Sequence, residues 1–433
     1  MLSSPTRPME AKGDLIVGHT YVDESWDFRY ENTKTLTHCF HSYPAVMIPC
    51  VAERLISEYG KHASLLFDPY CGSGTSLVEA NMKNIAAIGT DLNPLARLIA
   101  RAKTANINPQ VLDLYLKDFA DYIFSVAFGM QSVNAVIPPV KNMDYWFSCS
   151  VQEQLAIIKH FIMRIEDEAV ADFFKVAFSE TVRESSWTKN SEFKLLRMSA
   201  IQRERFRQDV FSMVQCKLAR NRRGLKEMLE GNQQRAKSVI MDFNTVEGSH
   251  AIPRNSVDIV VTSPPYGDSR TTVAYGQFSR LSNEWLDIED ASQLDNRMLG
   301  GRVSKETQPV GFTLLDDVIV QIAQQDAKRA REVAAFYADY SCSIRNVAKT
   351  LKKGGYACYV VGNRKVKGMV LPTDETTRFF FERQGFCHVK TVIRNIPNKR
   401  LPARNSPTNQ AGITDTTMSR EYIVVMEKRE SVA

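Results

Sequence analysis

The chain has 433 residues, of which 44% are hydrophobic and 24% charged, a composition that is ordinary for a globular protein. It contains no run of about 18 apolar residues and no apolar segment near its start, so we expect a cytoplasmic protein without a transmembrane helix or secretory signal. The eight cysteines form no C-x-x-C pair and no zinc spacing, so we expect no metal. The net charge of +6 is compatible with a nucleic-acid partner but is not diagnostic.

The first regular pattern begins after a leader at residues 1–35, which we expect to be irregular. An apolar strand is predicted at 63–67, followed by a glycine-rich turn and a helix. A second strand with an acidic tip is predicted at 86–91, and a further helix at 93–104. This alternation is typical of the start of a doubly wound parallel sheet.

The alternation of strands and helices stops at residues 108–237, where the pattern predicts mostly helices. This insertion, a candidate DNA-recognition region, divides an α/β domain into a first part at 36–107 and a second part at 238–433. Another insertion, at 267–340, separates the fourth and fifth strands. The sequence therefore predicts a doubly wound, mostly parallel, seven-stranded sheet with a large helical insertion. Its strands are placed at 63–67, 86–91, 238–242, 256–262, 355–363, 387–394 and 421–428.

The turn after the first strand has the pattern of a cofactor-binding loop. Gly72 and Gly74 allow a ligand to approach the backbone closely, and the following helix begins with free N–H groups. Asp91 ends the next strand, where a carboxylate can accept hydrogen bonds from both ribose hydroxyls of a nucleoside. Leu77 replaces the third glycine of a dinucleotide fingerprint, and Asp68 suits an ammonium group better than a pyrophosphate. The loop thus favours S-adenosylmethionine over NAD; the alternative is an ordinary strand-to-helix turn.

A second motif, Ser263-Pro264-Pro265-Tyr266, follows the strand at 256–262, at the sheet edge where open α/β folds bind ligands. The prolines lack N–H groups and stiffen the loop, so it presents acceptors. The Ser263 hydroxyl and the Pro264 carbonyl can each bind one N–H of an exocyclic amine and favour its tetrahedral geometry.

The same motif offers an aromatic ring for the base. Tyr266 can stack on a base that has left the helix. The methyl group would then move by in-line displacement, without a covalent intermediate. The alternative is an ordinary Pro-Pro-Tyr turn.

These motifs resemble those of the amino-methylating DNA methyltransferases of restriction–modification systems. DPYCGSGT is similar to their cofactor motif I. SPPY is similar to their catalytic motif IV in the form typical of cytosine-N4 enzymes, whereas adenine-N6 enzymes more often begin with Asp or Asn. HSYPAVMIP at 41–49 resembles motif X, which closes over the methionine end of the cofactor, and SVIMDF at 238–243 resembles motif III, near the adenine. LKKGGYACYVVGN resembles the fifth-strand motif.

The resemblance covers 36–107 and 238–428 and implies a Rossmann-like, S-adenosylmethionine-dependent enzyme that methylates double-stranded DNA, with a restriction endonuclease as a candidate partner. One departure is the helical insertion, since the common permutations place their recognition domain elsewhere. Catalytic contacts are expected from Ser263, Pro264, Pro265 and Tyr266. Cofactor contacts are expected from His41, Pro44, Asp68, Tyr70, Gly72, Gly74, Thr75, Asp91, Asn93, Asp242 and Phe243.

Basic residues concentrate in residues 181–237, where fourteen Lys and Arg oppose six acidic residues. The resulting +8 exceeds the charge of the whole chain, as expected of a phosphate-binding face; the alternative is a solvated helix surface. A second cluster, Arg394, Lys399, Arg400 and Arg404, follows the sixth strand, and 271–281 is a candidate for closing over the DNA. We expect DNA contacts from Arg183, Lys189, Lys194, Arg197, Arg220, Arg222, Arg223 and Arg400.

Competing functions differ in their motifs. A cytosine-C5 methyltransferase needs a Pro-Cys pair after the fourth strand, and Pro49-Cys50 lies upstream of the cofactor loop. An RNA guanine-N2 methyltransferase carries D/N-P-P-Y-G-x-R, which SPPYGDSR partly matches, but Ser263 and the motif-X-like segment argue against it. An adenine-N6 enzyme remains open. A non-catalytic DNA-binding protein on the same fold is disfavoured because the motif residues are intact.

Overall fold

The computed structural model describes residues 18–189, 193–232, 235–248, 251–268, 272–288, 294–396, 404–405, 415–416 and 418–429. Within them the strands are β1 (His19–Val22), β2 (Leu65–Asp68), β3 (Ala86–Thr90), β4 (Ser238–Met241), β5 (Val257–Thr262), β6 (Leu351–Val361), β7 (Lys365–Val366), β8 (Met369–Val370), β9 (Phe386–Asn395), β10 (Arg404–Asn405), β11 (Asp415–Thr416) and β12 (Arg420–Lys428).

The helices of the same residues include two short 3₁₀ helices, at Glu24–Trp26 and Leu36–Phe40. The α-helices are α1 (Pro49–Tyr59), α2 (Thr75–Met82), α3 (Pro94–Thr104), α4 (Pro109–Ala127), α5 (Met143–Trp146), α6 (Cys149–Ile162), α7 (Glu168–Ser185), α8 (Ala200–Arg205), α9 (Val210–Gly231), α10 (Tyr275–Trp285), α11 (Leu294–Arg297), α12 (Thr313–Gln325), α13 (Ala327–Thr350) and α14 (Thr373–Glu382).

The central sheet has the order β1-β9-β12-β6-β5-β2-β3-β4 among the described residues. Every neighbouring pair is parallel except those of β12, which runs antiparallel to both β6 and β9. All seven predicted strands are present in this sheet, which confirms the doubly wound, mostly parallel architecture. Because β2, β3, β4 and β5 are parallel, the loops that follow them lie at one edge.

The sheet has one more strand than the sequence predicted. β1 pairs in parallel with β9 and opposes His19 to Lys390. All four of its side chains are exposed, so it lacks the apolar alternation by which a strand is recognised. The assignment of 18–35 to an irregular leader was therefore wrong: Trp26 is fully buried, and Asp27 accepts a 2.7 Å hydrogen bond from the backbone of Asn395. Residues 1–17 lie outside the described residues.

The region at 108–237 is helical, as predicted, but it is not a detached lobe. α1, α2 and α3 cover one face of the sheet. The helices of the insertion pack behind this layer: α7 contacts α3, and α9 contacts α7 and the 3₁₀ helix at Leu36–Phe40. Phe173 and Leu218 of these helices share one apolar core with Phe40 and Leu98. α7 is buried almost all round, as expected of a helix that is apolar on most sides. The opposite face is covered by α12, α13 and α14.

Candidate active site

A cleft lies at the edge of the sheet where the loops after β2, β3, β4 and β5 meet. Its space is about 870 Å³, the solvent at its mouth included, which lies within the range of small-ligand sites. Several residues that the sequence predicted as cofactor or catalytic contacts line it. They are Pro44, Asp68, Tyr70, Gly72, Thr75, Asp91, Phe243, Ser263 and Pro265.

Two glycines shape the loop between β2 and α2. Gly72 and Gly74 have φ angles of +49° and +80°, in the left-handed region that glycine adopts without strain. A Cβ on Gly74 would lie 3.0 Å from the Cβ of Ala100, so α2 and α3 also pack closely here. Gly74 precedes α2 and does not line the cleft; its role is to shape the loop.

Asp68 presents a buried carboxylate at the floor of the cleft. It accepts hydrogen bonds from Thr262 Oγ1 at 2.6 Å, from the backbone of Tyr70 at 3.1 Å, and from the Ser76 hydroxyl. Burial raises the pKa of Asp68 to about 6, although these hydrogen bonds act to lower it. At neutral pH the cleft therefore contains a carboxylate anion.

Asp91 ends β3 on the other side of the same loop. Its carboxylate accepts hydrogen bonds from the backbone N–H groups of Asn93 at 2.7 Å and Gly72 at 3.0 Å, and burial raises its pKa. Asn93 is itself fully buried and faces away from the cleft. It caps α3 by accepting from Leu95, and it donates to the hydroxyl of Tyr43 at 2.8 Å. The predicted cofactor contact of Asn93 is thus replaced by a structural role.

The loop after β4 contributes Phe243 to the cleft, together with Asn244 and Thr245. Asp242 points elsewhere, contrary to the prediction from motif III. Its side chain is 51% exposed and forms a 2.9 Å ion pair with Arg97. A one-residue difference along the loop therefore decides which side chain reaches the ligand site.

His41 was also predicted as a cofactor contact, but it lies behind the cleft. Its ring contacts Tyr43 and Phe278, and neither ring nitrogen has a hydrogen-bond partner among the described residues. Desolvation lowers the pKa of His41 to about 4, although Glu180 opposes the shift. His41 is therefore a neutral core residue that supports the ring of Tyr43, which does line the cleft.

The catalytic loop reaches the cleft through Ser263 and Pro265. Pro264 is buried, and Tyr266 turns away toward β12. The Tyr266 hydroxyl lies 3.3 Å from Ser263 Oγ and donates to Glu421 Oε1 at 3.0 Å. Burial and the adjacent carboxylate raise the pKa of Tyr266 well above its usual value, so the phenol stays protonated.

Several residues of the site had no signal in the sequence reasoning. Tyr275 of α10 stacks on Tyr43 with ring centroids 6.1 Å apart, and both line the cleft. Tyr275 lies within 271–281, the segment that the sequence predicts as a candidate for closing over the DNA. Met298 and Leu299 arrive from the second insertion and carry no recognisable motif. Other lining residues lie within or beside the recognised motifs, although the sequence analysis did not name them individually: Ala45, Val46 and Met47 in HSYPAVMIP, Pro69, Cys71 and Ser73 in DPYCGSGT, and Leu92 next to Asp91.

Three predicted DNA contacts have structural roles instead. Arg183 is 6% exposed, donates to the Phe278 carbonyl at 3.1 Å and lies over the Phe278 ring. Arg220 pairs with Glu180 at 2.7 Å and also donates to a backbone carbonyl. Arg222 forms two hydrogen bonds with a surface carboxylate. Glu180 and Asp113 thus pair with two of the fourteen basic side chains that the sequence assigned to a DNA-binding face.

The other basic residues that the sequence predicted as DNA contacts, and those of the second basic cluster, differ in their exposure. Lys189, Lys194 and Arg223 are exposed, and Arg197 is partly buried. Arg394, of the second basic cluster, is 4% exposed and ion-paired with Glu421. Lys399 and Arg400 lie outside the described residues, as does the side chain of Arg404.

The exposed Lys189 and Lys194 belong to a segment that contacts α10, a helix at the cleft. Thr188 and Arg197 form an antiparallel bridge, so residues 188–189 and 193–197 lie side by side. The backbone of Leu195 donates to Gln277 on α10, the helix whose first residue, Tyr275, lines the cleft. We call 188–189 and 193–197 the basic hairpin.

No helix of the described residues is long and apolar enough to cross a membrane. The same residues contain no group of three or more His, Cys, Asp or Glu side chains placed to hold a metal ion.

Comparison with known proteins gives one family match and two similar sequences. The N6/N4 methyltransferase family, described as DNA methylase, matches residues 14–101. The type II methyltransferase M.MvaI of Kocuria varians is 37% identical over 92% of this chain and 93% of its own. The type II methyltransferase M.MjaII of Methanocaldococcus jannaschii is 32% identical over 22% of this chain and 18% of its own.

Solved structures give a weaker match. A Thermus thermophilus protein described as a DNA modification methylase, in complex with S-adenosyl-L-methionine, is 18% identical over 44% of this chain and 55% of its own. Its TM-score of 0.22 is too low to bear on function.

Proposed function

The chain belongs to the amino-methylating DNA methyltransferases of restriction–modification systems, and from that premise we propose that it methylates N4 of cytosine in double-stranded DNA. S-adenosylmethionine is the cofactor, as the loop after β2 predicted. The observation that carries the finer proposal is the position of Ser263, which begins the catalytic loop and lines the cofactor cleft. A cognate restriction endonuclease remains a predicted partner.

The cleft fits the parts of the cofactor. Asp91 and Phe243 both line it, which supports a role for Asp91 as acceptor from the ribose hydroxyls and for the Phe243 ring as a contact of the adenine. Asp68 supplies the anion that an ammonium or sulfonium group requires. Thr75 lines the same space, and its Oγ1 is buried and has no hydrogen-bond partner among the described residues. Because an unpaired buried hydroxyl costs free energy, Thr75 is available for a polar group of the ligand.

The catalytic loop would activate the amine by accepting hydrogen bonds from its two N–H groups. The cofactor supplies an electrophilic methyl group beside this loop. Ser263 Oγ and the Pro264 carbonyl oxygen each accept one N–H of the flipped cytosine, which favours the tetrahedral nitrogen of the transition state. A serine hydroxyl can accept from the amine while it donates to a second group, and Tyr266 lies within reach to be that group.

DNA would approach over the basic hairpin. Lys189 and Lys194 are exposed beside α10, and the guanidinium of Arg197 stacks 3.9 Å from the ring centroid of Tyr145. Such a surface can bind phosphates on either side of the flipped base without reading its sequence. Arg223 lies on α9 and is the remaining exposed candidate from the predicted set.

Incubating plasmid DNA with the purified protein and S-adenosylmethionine, followed by mass spectrometry of the nucleosides, tests the proposal. N4-methylcytosine is the expected product. N6-methyladenine would overturn the cytosine assignment, but the proposed role of the loop in binding the amine of a base would still stand. Methylation of guanine in total RNA, with none in DNA, would overturn the proposed substrate.

A further inference from the structure

The phenol of Tyr266 lies between the catalytic serine and a carboxylate on another strand. Its oxygen is 3.3 Å from Ser263 Oγ and 3.0 Å from Glu421 Oε1. Glu421 belongs to β12, which is separated from the catalytic loop by β6. The other oxygen of Glu421 pairs with Arg394, which is buried and also donates to the backbone carbonyl of Trp26 at 2.8 Å.

The chemistry of these groups determines which way each proton points. An ionised carboxylate only accepts hydrogen bonds, and a phenol has a single proton to donate. Because Glu421 is paired with the Arg394 guanidinium, it is held as an acceptor, and Tyr266 must donate to it. Tyr266 then has no proton left for Ser263, so in that contact Ser263 is the donor.

We propose that Glu421 is a positioning residue that sets the proton direction of the catalytic serine. With its own proton directed to Tyr266, Ser263 presents lone pairs to the cleft and meets the base amine as an acceptor only. This inference rests on the proposed function, because it explains how Ser263 recognises an amino group. The chain of hydrogen bonds runs from Arg394 through Glu421 and Tyr266 to Ser263.

Packing around the tyrosine keeps this chain of hydrogen bonds in place. A Cβ on Gly362 would lie 2.7 Å from Cδ2 of Tyr266, so a side chain at the end of β6 would displace the ring. The 3.3 Å separation between Ser263 and Tyr266 exceeds the usual O–H···O distance. Catalytic hydrogen bonds commonly shorten when substrate binds.

A double-mutant cycle between Glu421→Gln and Tyr266→Phe tests the inference. In Glu421→Gln the amide oxygen is claimed by Arg394, so the amide N–H₂ faces Tyr266 and donates to it. The phenol O–H of Tyr266 then points to Ser263 and donates to it. The O–H of Ser263 points to the amine instead, where it can no longer act as an acceptor only. We expect the single-turnover methylation rate on plasmid DNA to fall by about tenfold or more, with S-adenosylmethionine affinity unchanged.

The Tyr266→Phe background separates proton direction from mere structure. Without the phenol, Glu421 can no longer act on Ser263, so Glu421→Gln should cause no further loss there. A loss of equal size in both backgrounds would overturn the inference. Failure of the wild-type protein to methylate a base amine would instead refute the proposed function.

The matched control is Glu427→Gln, on the same strand, where Glu427 lies opposite Tyr356 and away from the cleft. It should leave the rate unchanged. Thermal melting and cofactor binding establish that each variant is folded. If Glu421→Gln unfolds, Glu421→Asp replaces it in the cycle. Its carboxylate still accepts from Tyr266, so we expect most of the methylation rate to be kept. A tenfold loss of rate that persists in the Tyr266→Phe background would overturn the inference.

Discussion

The backbone N–H of Gly72 donates to Oδ2 of Asp91 over 3.0 Å and so ties the turn after β2 to the end of β3. One carboxylate oxygen is occupied by this bond, and the other accepts from Asn93. Asp91 therefore shapes the glycine turn and lines the cleft at the same time. The cofactor site depends on this link between two parallel strands.

Replacing Asp91 by alanine should weaken S-adenosylmethionine binding by about tenfold to a hundredfold. The variant would lose charge-assisted hydrogen bonds to the ribose and the bond that holds the glycine turn. Isothermal titration calorimetry measures the effect. Asp242→Ala is the matched control, because Asp242 is half exposed and pairs with Arg97 outside the cleft. Equal losses in both variants would remove Asp91 from the cofactor site.

Cofactor affinity should depend on pH through Asp68, whose pKa burial raises to about 6. Above that pH the carboxylate is ionised and attracts a cationic ligand; below it the carboxyl is neutral and the attraction is lost. The dissociation constant should therefore be flat at neutral pH and rise as the pH falls through about 6. In Asp68→Asn, S-adenosylmethionine binding should be weaker than in the wild type and should not change with pH over the same range. A wild-type profile that is equally flat would contradict the role of Asp68.

Ser263→Ala should lower the single-turnover methylation rate by about a hundredfold, because it removes an acceptor that matters mainly in the transition state. Cofactor affinity should change less than about twofold, since the proposed partner of Ser263 is the amine of the base. Ser256→Ala, at the opposite end of β5, serves as the control. A parallel loss of rate and cofactor affinity would show that Ser263 acts in binding.

Reversing Lys189 and Lys194 to Glu should weaken DNA binding and make its salt dependence shallower by about two units of slope, one for each phosphate that is no longer neutralised. Fluorescence anisotropy at several salt concentrations measures both quantities. The same charge change on α9, Arg223→Glu with Lys226→Glu, distinguishes the basic hairpin from a general basic surface. If the α9 variant loses as much slope as the hairpin variant, the hairpin has no special role.

His41 should make the fold sensitive to acid. Its folded pKa of about 4 lies below the usual 6.5, so the unfolded chain binds a proton first as pH falls. The free energy of unfolding should decrease by about 3 kcal/mol between pH 6.5 and 4 from this residue alone. His41→Leu should remove this part of the pH dependence in urea titrations. An unchanged pH dependence would show that His41 is solvated in the folded state.

The sequence by itself determined the parts that depend on local pattern. Apolar runs and alternation located all seven strands that it predicted, and the glycine turn and the Pro-Pro loop were recognisable because their backbone needs particular residues. The parallel order then brings Asp68, Asp91 and Ser263 to one edge, since the carboxyl ends of parallel strands meet there.

Only the tertiary structure decided the roles of residues whose partners are distant in the chain. Charge counting cannot distinguish an arginine on a DNA-binding face from Arg183, which lies over Phe278, or from Arg394, which holds Glu421. Nor does the pattern of apolar residues show that the exposed β1 adds an eighth strand to the sheet. A side chain's function depends on which groups surround it after folding, and the pairs that folding brings together lie up to 371 positions apart, as His19 and Lys390 do.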